Sequence, residues 1–156
     1  MKNLVFSSEK NLSLFNIEND YILFQISDDI YAIKILDIKE IISNRKIVEI
    51  EDLPKYITGI VNIRNVIFPI FDLKKNLPLE NFSKYGKYSV IVIFESSSDS
   101  CALLADSVLD IYNIPEENIK VCSIKENDFI EFEVELNQKT VKIINVENLI
   151  KLKYDS

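Results

Sequence analysis

Apolar residues fall along this chain in short runs broken by polar pairs, a spacing that favours strands over helices. Tyr21-Ile22-Leu23-Phe24-Gln25-Ile26 and Ile30-Tyr31-Ala32-Ile33-Lys34-Ile35 flank Asp28-Asp29 and predict a β-hairpin. Leu36, Ile38, Ile41 and Ile42 stand near helical spacing and predict a helix of one or two turns. Lys46 to Ile50 reads as a strand, and Asp52-Leu53-Pro54 as a helix start with Asp as N-cap. Tyr56–Ile63 and Val66–Phe71 predict a second hairpin, with Arg64-Asn65 at its turn; Pro69 argues for an edge or a bulge in the second strand. Tyr88–Phe94 and Cys101–Ser107 form a third hairpin, and Val108–Asn113 continues as strand. A short helical turn follows at Pro115–Asn118. Ile130, Phe132, Val134 and Leu136 alternate with Glu131, Glu133 and Glu135, the pattern of a half-buried antiparallel strand with an apolar inner face and a solvated acidic one. Thr140–Ile144 returns, and Val146–Leu152 closes as an amphipathic helix.

The two halves of this pattern match each other. At the offset from Tyr56 to Phe129, Val61 meets Val134, Arg64-Asn65 meets Asn137-Gln138, and Ile70-Phe71-Asp72-Leu73 meets Ile143-Ile144-Asn145-Val146. At the slightly smaller offset from Ala32 to Ala102, Ile33 meets Leu103 and Glu40-Ile41 meets Asp110-Ile111. Two copies of a small β-unit, each too small for a good core, are expected to pack together. The polar stretch Lys74–Lys87, with Pro78, Ser83 and Gly86, is the expected boundary between them. Residues 1–19 are expected to be an N-terminal extension or loosely docked arm.

Composition narrows the chemistry. With 156 residues the chain suits one domain or two small fused ones. It contains no histidine and two glycines, Gly59 and Gly86, which removes the commonest general base, most zinc sites and any glycine-rich phosphate loop. The net charge of −7 and the scattered basic residues, with Arg45 and Arg64 the only arginines, argue against nucleic acid. Cys101 and Cys122 lie in apolar or β-rich sequence and read as reduced, structural thiols of a cytoplasmic protein. Nothing resembles a signal peptide or a run long enough to enter a membrane. No catalytic, cofactor or metal site is expected: Cys101 has no histidine base, Asp106 and Asp110 show no cleft, and the Glu131/Glu133/Glu135 ladder spaces its carboxylates too widely to share an ion.

The segment Gly59-Ile60-Val61-Asn62-Ile63-Arg64-Asn65-Val66-Ile67-Phe68-Pro69-Ile70-Phe71-Asp72-Leu73 resembles the core motif of CheW-like chemotaxis coupling proteins. A second match lies at Ala102–Ile111 and Ile114–Ile119, and the likeness runs over residues 20–152. It implies a mainly β fold of two SH3-like five-stranded barrel subdomains, at about 20–80 and 85–145, with short connecting helices and a closing helix at 146–152. It further implies a non-enzymatic adaptor, recruited to receptor arrays, that couples the cytoplasmic tips of methyl-accepting chemoreceptors to the regulatory domain of the histidine kinase CheA. It also implies other CheW-like proteins as further partners in arrays. Two other readings stay open: a CheW-like scaffold for a different kinase pathway, and a ligand-binding or enzymatic protein on a paired-barrel fold.

By that resemblance, receptor contact falls on Ile38, Glu40, Gly59, Asn62, Arg64, Ala102 and Val108. Core packing for Ile38, a bulge at Gly59, and solvated charge for Glu40 and Arg64 are the plainer alternatives. Kinase contact falls on Ile33, Ile35, Arg45 and Val48, as an apolar patch on one barrel. The family's glycine after the arginine is Asn65 here, and its Gly-rich second-half segment is replaced by Glu131–Gln138, which makes that surface bulkier and more acidic.

Overall fold

A computed structural model describes residues 4–5, 17–76, 85–97 and 99–154. Two antiparallel-rich sheets dominate it. The seven-stranded sheet runs in the order β1(Leu4–Val5), β4(Ile38–Ser43), β8(Val90–Ser96), β9(Asp99–Ala105), β7(Val66–Phe71), β6(Ile57–Ile63), β5(Val48–Glu49). The six-stranded sheet runs β10(Ser107–Asn113), β2(Asp20–Ile26), β3(Asp29–Lys34), β13(Lys139–Ile144), β12(Ile130–Leu136), β11(Lys120–Val121). Neither order closes on itself through a ladder among the described residues, so the sheets are larger and more open than five-stranded barrels. Among the described residues there is one α-helix, α1(Val146–Lys151), which begins where Asn145 accepts the Asn148 amide at 2.9 Å as N-cap.

The repeat is visible strand by strand. Excluding β1, the first sheet reads β4-β8-β9-β7-β6-β5 and the second β10-β2-β3-β13-β12-β11, each position related by the offsets found in sequence. Even the irregularities recur. The ladder slips between Ile38 and Glu40 and again between Val108 and Asp110. It slips between Ile57 and Gly59 and again between Ile130 and Phe132. Arg64-Asn65 and Asn137-Gln138 both take left-handed φ (50° and 66°; 51° and 67°), the geometry of a two-residue turn whose twist matches its strands.

The two units exchange strands, so each sheet draws on both of the stretches 20–80 and 85–145. β2 and β3 of the first unit join β10–β13 of the second; β8 and β9 of the second join β4–β7 of the first. β2 and β8 are therefore buried on both faces. Ile22, Phe24 and Ile26 face a core shared by both sheets, with Val90, Val92 and Phe94 of β8, while Tyr21 and Leu23 pack within the second sheet and Ile91 and Ile93 within the first. Continuous apolar runs rather than strict alternation are the sequence mark of such strands.

Other expectations change locally. No helix forms over Leu36–Ile42: a 3-10 turn at Ile35–Asp37 carries the chain from one sheet to the other, and β4 follows. Three of the four apolar side chains that suggested a helix, Ile38, Ile41 and Ile42, are buried on a strand flanked on both sides, and Leu36 is exposed. Asp52-Leu53-Pro54 starts no helix; Asp52 and Tyr56 sit at φ 63° and 73° in an irregular bend. The strand expected at Lys46–Ile50 shortens to Val48–Glu49. β7 is not an edge: the parallel ladder with β9 begins at Ile70, one residue past Pro69. The bulge before Phe132 breaks the clean alternation of β12, leaving that ring 41% exposed between buried Ile130 and Val134. Most of the 1–19 arm and the middle of the 74–87 connection lie outside the described residues.

Candidate functional site

The β6–β7 turn builds the site. Asn62 accepts the Asn65 amide through Oδ1 at 3.0 Å, an Asx-type contact that supports two successive left-handed residues. That conformation projects Arg64 towards β4, where its Nη2 donates to Glu40 Oε2. The side chain of Arg64 is 61% exposed and that of Glu40 is 6% exposed. The pair is thus a buried carboxylate covered by a largely solvated guanidinium. Glu40 raises the pKa of Arg64, first as a hydrogen-bond acceptor and then by its charge. Glu40 Oε1 has no hydrogen-bond partner, so the carboxylate retains an acceptor under the arginine.

Glu40 is buried because β4 is covered on both faces past a slip in its ladder: Ile38 and Ile41 pack in the core shared by both sheets and Ile42 in that of the first sheet. Ile38 pairs with Phe94 and Glu40 with Ile93 across that slip; both are buried, and Lys39 is exposed. The equivalent turn in the second unit reaches the equivalent strand with weaker chemistry: Asn137 Nδ2 donates to the Tyr112 hydroxyl of β10 at 3.2 Å.

The predicted contact residues separate by burial. Ile38 and Ala102 belong to the core, 4% and 0% exposed, and Gly59 is also buried; none offers a side-chain surface. Gly59 is a glycine for a packing reason. A Cβ there would lie 2.0 Å from the Val48 carbonyl oxygen, so it lets β5 cross close to β6. Asn62 and Arg64 are exposed, Val108 is half-buried, and Glu40 acts through Arg64. Exposed Val66 and Ile67 adjoin the turn on β7. Among the expected kinase contacts, Ile33 and Ile35 are buried and available to no partner. Arg45 and Val48 are exposed, and exposed Ile50 extends that edge.

A second polar cluster was not legible in the sequence. Lys74 is wholly buried, its Nζ 2.6 Å from Asp106 Oδ1 and 3.9 Å from the centroid of the Tyr85 ring. Tyr85 donates to Asp72 Oδ1 at 2.5 Å, and desolvation, followed by the Asp72 charge and hydrogen bond, pushes its phenol far up. Asp106 also accepts the Ser27 amide at 2.7 Å and donates its own amide to the Gln25 carbonyl. It stands where the chain passes from β9 to β10, so the cluster fixes the crossover between sheets. A lysine among polar residues carries no local signal that it will be buried.

Residues 20–153 match the CheW-like domain family. The chain is 26% identical over 104 residues to the chemotaxis protein CheW of Klebsiella aerogenes, covering 67% of this chain and 62% of that one. It is 25% identical over 141 residues to a probable chemotaxis protein CheW of Rhizobium etli, covering 88% of this chain and 90% of that one. The crystal structure of the scaffolding protein TtCheW from Thermoanaerobacter tengcongensis superposes with a TM-score of 0.72 at 28% identity, covering 81% of this chain and 84% of that one. With the family match running from the first strand of the shared core to the end of the closing helix, and the same fold in a solved relative, this chain belongs to the CheW-like domain family.

Proposed function

We propose that this protein is a non-enzymatic adaptor that couples chemoreceptor tips to the histidine kinase CheA. The observation that carries the reading is the CheW-like match across residues 20–153, shared with relatives named chemotaxis protein CheW. The work done is binding alone: one surface holds the receptor hairpin, another the kinase, and the kinase responds to how it is held. The receptor surface is assigned to Arg64, Asn62 and Val108, with Glu40 as the group that positions Arg64. Exposed Val66 and Ile67 supply apolar area beside it. The kinase surface is assigned to Arg45, Val48 and Ile50. Each contact is small, and repetition in an array makes the assembly tight through effective concentration. No helix of the described residues is long and apolar enough to cross a membrane, and receptors supply the attachment in this reading.

The test is reconstitution with purified CheA and a receptor cytoplasmic fragment. The parent chain is expected to be retained by both and to raise receptor-dependent kinase autophosphorylation. Arg64→Ala is expected to weaken receptor capture by roughly tenfold to a hundredfold, with CheA capture and cooperative melting kept. Arg64→Lys restores only part, since an ammonium lacks the planar fork. Val48→Asp is expected to do the reverse. Retention by neither partner overturns the proposal.

A further inference from the structure

The internal repeat makes each unit a control for the other, and the two differ at one end of their sheets. In the first unit, the residue that follows Asp72-Leu73 is Lys74. Its ammonium is buried against a carboxylate and an aromatic ring, Asp106 and Tyr85. In the second unit, the equivalent of Lys74 is Glu147, after Asn145-Val146. There the corresponding end is an open cleft of about 580 Å³. Its apolar wall includes Tyr21, Phe132 and Ile143, and its charged lining is Asp37, Glu116 and Glu147 against the single ammonium of Lys34. Phe132 stands at the position of Gly59, so a half-exposed ring occupies a place where the first unit has no side chain. Asp37 ends the β3-to-β4 crossover, one residue past the repeat position of Asp106, which stands between β9 and β10; burial pushes its carboxyl up despite Lys34.

We propose that this cleft binds an alkylammonium or guanidinium group carried on a short apolar stem, in the place that Lys74 fills within the first unit. The chemistry is that of the occupied counterpart. Carboxylates at the rim neutralise the charge, the Phe132 face attracts a cation, and the apolar wall takes the methylenes. Three carboxylates and one lysine leave the empty cleft with excess negative charge, which a cation relieves and an anion worsens. The source of the group is either a lysine or arginine side chain of a protein or a free amine, and the two share this recognition.

The test is a titration of the full chain followed by backbone amide shifts. The probes are butylammonium, the neutral isostere 1-butanol, and N-acetyl-lysine methylamide. Butylammonium is expected to saturate with a millimolar dissociation constant, as befits so small a ligand, and to shift residues around Asp37, Phe132 and Glu147. Glu147→Lys is expected to weaken it about tenfold by placing a cation of the chain's own in the cleft. Glu116→Gln and Phe132→Ser, both at exposed positions, weaken it less and leave melting unchanged. Tighter binding of the lysine amide than of butylammonium identifies a protein side chain as the source; the reverse order identifies a free amine. Equal binding of butanol, shifts that do not saturate, or an affinity unmoved by Glu147→Lys overturns the proposal.

Discussion

Replacing Lys74 by Met removes the ammonium at the crossover and keeps most of the side-chain volume. The lysine is wholly buried, while the Asp106 side chain is 23% exposed and still accepts the Ser27 amide. Breaking a buried ion pair from one side costs about 3–5 kcal/mol, because the remaining charge is left without its partner. Partial hydration and the Ser27 bond place Asp106 at the lower end, about 3 kcal/mol. For a chain of this length that lowers Tm by roughly 6–12 °C. Urea melts of Lys74→Met, Asp106→Asn and the double variant, read by calorimetry and circular dichroism, give the cycle. The double variant is expected to lose less than the two single costs added, by about 1–3 kcal/mol, since removing both charges leaves neither stranded. An unchanged urea slope assigns the loss to stability alone. If Lys74→Met melts within 2 °C of the parent, or the single costs simply add, the pair does not hold the crossover.

Gly59→Ala drives a Cβ onto the Val48 carbonyl and is expected to cost roughly 1–3 kcal/mol and to release β5, seen as faster amide exchange at the Val48–Ile60 pairing. Cys101 is fully buried, and desolvation raises its thiol from 9.0 to about 11. The folded state therefore holds that proton more tightly than the unfolded one. This contribution to stability is intact below pH 9 and is lost as pH climbs towards 11. Denaturant midpoints across that range check the sign. Residues 1–80 and 81–156 made as separate chains are each expected to lack cooperative melting, and to regain the parent spectrum when mixed, because each sheet needs strands from both.

Much of the strand content was legible because turn chemistry is local. Asp28-Asp29, Arg64-Asn65 and Asn137-Gln138 bracket runs that pair as hairpins. The repeat was legible too, since its offsets follow turns and acidic positions as well as apolar ones. Its partition was not, because nothing local tells β3 to leave the sheet that β4 joins. The apparent helix at Leu36–Ile42 failed for the same reason: a strand buried on both faces shows its apolar residues without period two. At the site, Arg64 stood out as one of two arginines at a turn. The burial of Glu40 follows from β4 being covered on both faces, which no residue type announces. Lys74 was missed because a buried lysine is defined by partners far along the chain.

The exchanged strands carry a consequence for how such a chain came to exist. Take one unit alone, with its first two strands and its last four in separate sheets. Two identical copies of it would complete each other about a two-fold axis, each lending its leading hairpin to the other. The present chain has the geometry of that pair with its protomers joined end to end, the joint falling in the stretch between Lys74 and Tyr85. Once joined, the two halves were no longer bound to be alike. One half carries a cation, a glycine and a covering strand on its outer edge; the other carries Glu147, Phe132 and an uncovered β10 among the described residues. A symmetric dimer offers every surface twice. A fused one presents two different faces, as the proposed adaptor role requires.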